Sequence, residues 1–243
     1  LGEKEMIGII LAGGKGTRLK ELTRVTNKNL LPLGDKPLIY HPVEKMVECG
    51  ITKILIVTGT EHMGDFVELL GSGSRFGCSF TYKVQDEPKG IAHALGLWEG
   101  ICNERCMVIL GDNVFGDSLV GFAEQAEKNP DCACVGITRV DNPVAFGNVE
   151  FHENDMRIKR IVEKPKEALS PYIITGLYSY PPDVFDVIKT LKPSNRGEYE
   201  ITDVNNYYLE KSKLSCWHMP GFWIDAGSIE NYYIANKFVF EKN

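Results

Sequence analysis

Ile7-Gly8-Ile9-Ile10-Leu11-Ala12-Gly13-Gly14-Lys15-Gly16-Thr17-Arg18 is the stretch that decides how this chain folds. Its first five residues are an apolar run that reads as a buried strand. The loop that follows carries three glycines in four positions, so its backbone can approach a ligand closely and aim several N–H groups at it. Lys15 and Arg18 add cations where phosphates would sit, and Lys28 follows ten residues after Arg18 in Asn27-Lys28-Asn29-Leu30-Leu31-Pro32. The spacing is that of neither common phosphate loop. A P-loop needs Ser or Thr after Gly-Lys, where Gly16 stands. A dinucleotide fingerprint needs Gly or Ala at Leu19 and an acid about 20 residues on.

Outward from this loop, the first half alternates strand and helix. Strands are expected at 54–57, Phe80–Val84 and Met107–Leu110, with helices through Ile39–Val47 (stopped by Gly50), through Phe66–Leu70 and over about Ile91–Gly100. Such alternation implies a parallel sheet with helices on both faces and ligands beyond the carboxyl ends of its strands. The second half is mixed. Strands are expected at Cys132–Arg139, Tyr172–Tyr180 and Leu214–His218, a hairpin around Glu153-Asn154-Asp155, helices near 183–191 and 200–211, and a last helix capped by Ser228. The whole reads as a single α/β domain over 1–243, its first half running to about 115 and its second from about 116.

At 243 residues, 43% apolar and 25% charged, the composition is that of a soluble globular protein. A net charge of −6 argues against a nucleic-acid partner. Residues 1–34 nevertheless hold six cations against three acids, which suits a small anionic ligand. Seven scattered cysteines without metal spacing read as buried reduced thiols. With no leader and no long apolar run, a cytoplasmic location and no membrane partner are expected.

Two acids end apolar strands before small residues: Asp112 in Gly111-Asp112-Asn113 and Asp225 in Trp223-Ile224-Asp225-Ala226-Gly227. A carboxylate facing phosphates repels them unless a divalent cation intervenes, and Mg²⁺ takes one or two carboxylates plus phosphate oxygens. Glu163-Lys164-Pro165 and Arg196-Gly197-Glu198 could bind a phosphate and sugar hydroxyls, and equally could be solvated ion pairs before turns. No nucleophile elbow, zinc-protease motif or histidine pair is present. What is left is phosphoryl or nucleotidyl transfer without a covalent intermediate.

In order, Leu11–Arg18, Asn27–Pro32, Val84-Gln85, Gly90–Ala92, Leu110–Asn113, Phe146-Gly147, Glu163–Pro165, Thr175–Tyr178, Arg196–Glu198, Glu200–Asn205 and Trp223–Gly227 resemble the sugar-1-phosphate nucleotidyltransferases. Within that family the similarity is to the glucose-1-phosphate thymidylyltransferases. The resemblance implies an α/β fold with a Rossmann-like, mostly parallel mixed sheet flanked by helices, of glycosyltransferase-A-like architecture. It implies nucleotide binding by Leu11, Ala12, Gly13, Gly14, Gly16, Thr17, Arg18, Gln85, Gly90 and Asp112, with Gln85 and Gly90 on the pyrimidine edge. Asn113, Gly147, Glu163, Lys164, Thr175, Arg196 and Trp223 would bind the sugar phosphate, and Asp112 and Asp225 would hold Mg²⁺. Arg18, Lys28, Asp112, Lys164 and Asp225 would carry the reaction of dTTP with glucose 1-phosphate, giving dTDP-glucose and pyrophosphate.

Asn29 and His93 depart from the family, where glutamine is common. Longer relatives continue beyond the helix at Ser228 into a regulatory site and a tetramer interface, so weak feedback and a monomer or small homo-oligomer are expected. UTP in place of dTTP, and a non-catalytic sugar-nucleotide sensor, stay open as alternatives.

Overall fold

The computed structural model describes residues 6–153 and 155–242. The strands are β1 (Ile7–Ala12), β2 (Pro32–Leu33), β3 (Lys36–Pro37), β4 (Lys53–Gly59), β5 (Ser79–Gln85), β6 (Cys106–Leu110), β7 (Asn113–Phe115), β8 (Ala133–Arg139), β9 (Gly147–Phe151), β10 (Ile158–Glu163), β11 (Tyr172–Tyr180), β12 (Leu214–His218) and β13 (Trp223–Asp225). The α-helices are α1 (Tyr40–Glu48), α2 (Met63–Leu70), α3 (Ile91–Gly96), α4 (Val120–Lys128), α5 (Val184–Thr190), α6 (Ile201–Glu210) and α7 (Ile229–Lys242).

These elements form two compact units. One holds Ile7–Pro88, Val108–Leu119 and the chain from Gly221; the other holds Lys89–Met107 and Val120–Pro220. The boundary is thus not one cut near residue 115, because the chain leaves the first unit and returns to it twice.

In the first unit, β1 lies parallel to β4 with Gly8 opposite Ile54 and Ala12 opposite Thr58. β4 lies parallel to β5, with Gly59 opposite Gln85. This register brings Ala12, Gly59 and Gln85 to one edge, the carboxyl end that the sequence marks for a ligand. All six β1 residues are buried, as a strand covered on both faces requires. Gly8 admits the close packing: a methyl there would stand 3.1–3.2 Å from Ile51, Ile54 and Met46. α1 ends in a Schellman motif, with Gly50 at φ 77 and bonds from Gly50 N to Val47 O and from Ile51 N to Met46 O. Ser228 Oγ caps α7 by accepting from Asn231 N at 3.2 Å. α7 covers a core of Leu33, Leu38, Val114, Ala226, Ala235 and Val239, with Phe222 stacked on Phe238.

In the second unit, β8 pairs antiparallel with β11 and parallel with β12. The β9–β10 hairpin pairs Gly147 with Glu163; Asn154, in its expected turn, lies outside the described residues. The β8–β11 register shifts between Ile174 and Tyr178, around Thr175. All seven cysteines are free thiols, but only Cys102, Cys106 and Cys134 are buried, so the expectation of uniformly buried thiols holds for three.

Two helix expectations need correction. α3 stops at Gly96 instead of continuing to Gly100: glycine is a poor helix former, and beyond it the chain goes on in i→i+3 turns to Gly100 at φ 75. α4 was not expected at all: its buried face is Phe122, Ala123 and Ala126, and two alanines make a faint apolar stripe. Phe122, fully buried and edge-on to Trp217, anchors it. Phe122→Ala should therefore cost about 3–5 kcal/mol, read as a drop in the urea unfolding midpoint; a change below about 1 kcal/mol would remove α4 from the core.

Candidate active site

The glycine loop borders a cleft of about 240 Å³ in the first unit, lined in part by Gly13, Gly14, Lys15, Asn27, Gly59 and Gln85. A methyl on Gly13 would stand 3.0 Å from Gln85 Oε1, and one on Gly14 would stand 3.3 Å from Lys28 Nζ. Gly16 turns the loop at φ 65, its carbonyl accepting from Leu19 N at 2.9 Å and Thr23 Oγ1 at 3.0 Å. Leu11 and Ala12 are buried at the strand end, whereas Thr17 and Arg18 are exposed. The amides of Asn27 and Asn29 both donate to Ala12 O, at 3.3 and 3.2 Å, tying the Lys28 segment to β1. Asn29 is fully buried, so its departure from the family pattern is a matter of internal bracing.

Two carboxylates meet beside this loop. β13 pairs with β7 so that Asp225 lies opposite Asn113, and Ala226 N donates to Asp112 O at 2.8 Å. A methyl on Gly227 would stand 2.6 Å from Asp225 Oδ1, 3.1 Å from Asp112 Oδ2 and 2.7 Å from Arg18 Nη2. Only a glycine leaves that point open. Lys28 Nζ is ion-paired with Asp112 Oδ2, and Arg18 Nη2 lies 3.3 Å from Asp225 Oδ2. Asp225 Oδ1 also accepts from Gly227 N at 2.7 Å, and Asn231 Nδ2 donates to Asp225 O at 2.8 Å.

The two acids are driven apart electrostatically. Burial alone would lift the Asp112 pKa, but the Lys28 charge, the Lys28 hydrogen bond and the Asn113 amide outweigh it and hold Asp112 below its ordinary value. Burial, reinforced by the Asp112 charge, lifts Asp225 above its ordinary value against the weaker pull of Lys28 and Arg18.

The second unit gathers a different cluster. Glu163 Oε2 accepts from Thr202 Oγ1 at 2.6 Å, and Glu163 Oε1 lies 3.4 Å from Arg196 Nη2 and 3.8 Å from Lys164 Nζ. A methyl on Gly147 would stand 3.2 Å from Thr202 Oγ1 and 3.5 Å from Glu163 Oε2. Arg196 Nη2 is bound by both oxygens of Glu200, at 2.9 and 2.8 Å, and Ser194 Oγ donates to the same carboxylate at 2.6 Å. Lys164 stands at φ 42, a left-handed conformation costing a non-glycine about 1–2 kcal/mol.

Gly147, Glu163, Lys164 and Arg196 thus come together, as do Arg18, Lys28, Asp112 and Asp225. Other expected residues make contacts within the protein. The Thr175 hydroxyl is buried and donates to Gly136 O at 3.0 Å. Gly90, at φ 99, lets the backbone meet Tyr199, whose oxygen a methyl would approach to 2.6 Å. Asn113 and Trp223, expected at the sugar phosphate, lie in the first unit. There Trp223 Nε1 donates to Asn113 Oδ1 at 2.7 Å and Asn113 Nδ2 donates to Asp112 Oδ1 at 3.1 Å. Gly227, Glu200, Thr202 and Asn231 were not singled out. The first three lie inside quoted motifs, and only the folded geometry gives them their tasks.

Residues 7–242 match the family model for nucleotidyl transferases. The chain belongs to the nucleotidyl transferase family. It is 45% identical over 238 residues to a glucose-1-phosphate thymidylyltransferase of Neisseria meningitidis, covering 96% of this chain and 82% of the relative. The corresponding protein of Mycolicibacterium smegmatis is 40% identical over 237 residues, with the same coverage. Among solved structures, a Bacillus anthracis protein assigned as a glucose-1-phosphate thymidylyltransferase, in complex with sucrose, has 50% identity and a TM-score of 0.93, covering 98% of this chain and 96% of that one. A UDP-glucose pyrophosphorylase complexed with UDP-glucose is more distant, at 28% identity and a TM-score of 0.86, covering 98% and 100%. Among the described residues of this nucleotidyltransferase no helix is long and apolar enough to cross a membrane.

The raised Asp225 pKa has a measurable sign. Its ionised form is disfavoured in the folded state, so above the unfolded pKa the charge subtracts from stability, and below it the effect vanishes. Asp225→Asn should therefore raise the thermal midpoint of the metal-free protein in chelator at pH 7–8. The gain should shrink as pH falls toward the ordinary carboxylate value of about 4. A variant less stable than wild type at pH 8 would contradict the like-charge argument.

Proposed function

We propose that this nucleotidyltransferase joins dTTP and glucose 1-phosphate to give dTDP-glucose and pyrophosphate. The observation that carries the reading is the glycine loop with Arg18 and Lys28 beside the Asp112–Asp225 pair, in a chain 45% identical to a glucose-1-phosphate thymidylyltransferase. The nucleotide is assigned to the loop, with its base toward Gln85 and its phosphates toward Arg18 and Lys28. The sugar phosphate is assigned to Gly147, Glu163, Lys164 and Arg196. A cytoplasmic protein working as a monomer or small homo-oligomer fits this chemistry.

The acid pair suits a hard divalent cation. Two carboxylates converge on one point, Lys28 and Arg18 are the cations that relieve their like charge, and Mg²⁺ takes one or two carboxylates with the rest of its ligands from phosphate and water. Asp112 and Asp225 would hold it, and when bound it would neutralise charge on the reacting phosphates. The protein supplies the rest by position. The phosphate monoester of the sugar has a second pKa of about 6 and is mostly dianionic at neutral pH, so its oxygen attacks the α-phosphorus without a general base. Lys28 and Arg18 stabilise charge gathering on the triphosphate, with Arg18 on the departing pyrophosphate, and Lys164 and Arg196 hold the attacking phosphate.

Pyrophosphate release over dTTP, UTP, CTP and GTP, each against several sugar 1-phosphates, tests the assignment. The highest kcat/KM is expected for dTTP with glucose 1-phosphate. A preference for UTP would make the enzyme a uridylyltransferase, and no release with any pair would make the protein a sensor. Asp112→Asn should lower turnover about 10²-fold or more, the usual loss on removing a key electrostatic group; near-wild-type turnover would take Asp112 out of the mechanism.

A further inference from the structure

We propose that Trp223 and Asn113 form a positioning relay for the Asp112 carboxylate, the indole N–H fixing which end of the Asn113 amide faces the acid and so setting the divalent-cation affinity. The inference rests on the reading of Asp112 and Asp225 as the cation site, and it gives Trp223 and Asn113 a task other than the sugar contact expected from the sequence.

The argument is one of donor and acceptor inventory. An indole nitrogen can only donate, whereas a carboxamide presents an acceptor at one end and a donor at the other. Trp223 Nε1 lies 2.7 Å from one end of the Asn113 amide, so that end is Oδ1. The opposite end is then Nδ2, and it points at Asp112 Oδ1 from 3.1 Å. Asn113 is 1% exposed, so water does not compensate for a reversed amide. Reversal would turn an acceptor toward a carboxylate that is already crowded by a second one. The donor instead occupies Oδ1 and steadies the carboxylate, while Oδ2 is the oxygen that meets Lys28 and faces Gly227.

The same strand pair carries both halves of the arrangement. In the β7–β13 ladder, Trp223 lies opposite Phe115 and Asp225 opposite Asn113, two residues apart on one three-residue strand. The pairing that delivers the second acid therefore also delivers the donor that orients the first. Partners of this kind around ligating groups are worth 10–100-fold in metal affinity when removed.

The test is dTTP binding by calorimetry, without sugar phosphate, in EDTA and in Mg²⁺, on the full chain. Trp223→Phe keeps an aromatic ring and deletes the N–H. It should bind dTTP as wild type does in EDTA, yet lose about 10-fold of the factor by which Mg²⁺ tightens binding. In turnover, the Mg²⁺ concentration for half-activation should rise by a similar factor, with kcat recovered at saturating Mg²⁺. Asn113→Ala should lose at least as much, and the double variant no more than Asn113→Ala alone, since the indole acts only through the amide. A Trp223→Phe enzyme that keeps the full Mg²⁺ effect, or that binds dTTP poorly in EDTA as well, overturns the relay; so does a double variant in which the two losses add. A wild-type enzyme whose dTTP affinity ignores Mg²⁺ would instead overturn the cation site itself.

Discussion

Two carboxylates converging on one point, Asp112 buried and Asp225 half-buried, are the constraint around which the first unit is built. Asp112 and Asp225 cannot both ionise there unaided: burial disfavours each charge, and each charge disfavours the other. The fold answers with Lys28 on one acid and Arg18 on the other. The two answers differ in kind. Lys28 is largely buried and contributes through low screening, whereas the Arg18 side chain is 60% exposed and its pair with Asp225 is weakened by solvent. The compensation is therefore uneven, which is why Asp112 is held below its ordinary pKa and Asp225 above it.

That constraint explains structure at some distance from the acids. β7 and β13 are only three residues each, too short to persist alone, yet they set both carboxylates. α7 holds β13 from behind, through the Asn231 bond to Asp225 O and through the core it shares with Leu33, Leu38 and Val114. Gly34, at φ 64, lets the β2–β3 turn tuck against Val239, and its N–H reaches Asn236 Oδ1 at 3.0 Å. The helix that closes the described chain is in this sense part of the acid site's foundation.

How far the site could be read from the sequence depended on whether a residue's task was local. β1 and β4 announced themselves by apolar runs, β5 by alternating apolar and polar residues, and the loop after β1 by its glycines and cations. Lys28 was legible as a further cation after the glycine loop, and Asp112 and Asp225 as a pair of acids at equivalent strand ends. The bond between Asn113 and Trp223 was not legible: nothing in their spacing says that residues 110 apart join across a ladder. Thr175 and Gly90, read as ligand contacts, also have contacts within the fold that their spacing does not reveal: the Thr175 hydroxyl reaches Gly136 O, and Gly90 lies against the Tyr199 backbone. Gly227 could not be singled out, since its importance is the empty volume where its side chain would be. α4 escaped because alanine marks a helix face only faintly.

The cluster in the second unit surrounds a cation with acids of unequal burial and still leaves part of it open to solvent. Arg196 approaches Glu163, Glu198 and Glu200, which would seem to cancel its charge several times over. The burial of the partners separates their roles. Glu200 has a side chain only 11% exposed and grips the guanidinium with both oxygens, fixing its plane. Glu198 is 40% exposed, so its negative charge is screened by water and ions. Glu163 is held by the Thr202 hydroxyl at one oxygen and meets Arg196 only at 3.4 Å through the other. One buried carboxylate thus aims the arginine while the exposed Glu198 adds little opposing field, and the 40% of the Arg196 side chain that reaches solvent is what the proposed binding of a phosphate requires. A lysine there could not be aimed in this way, because an ammonium has no plane for a carboxylate to fix.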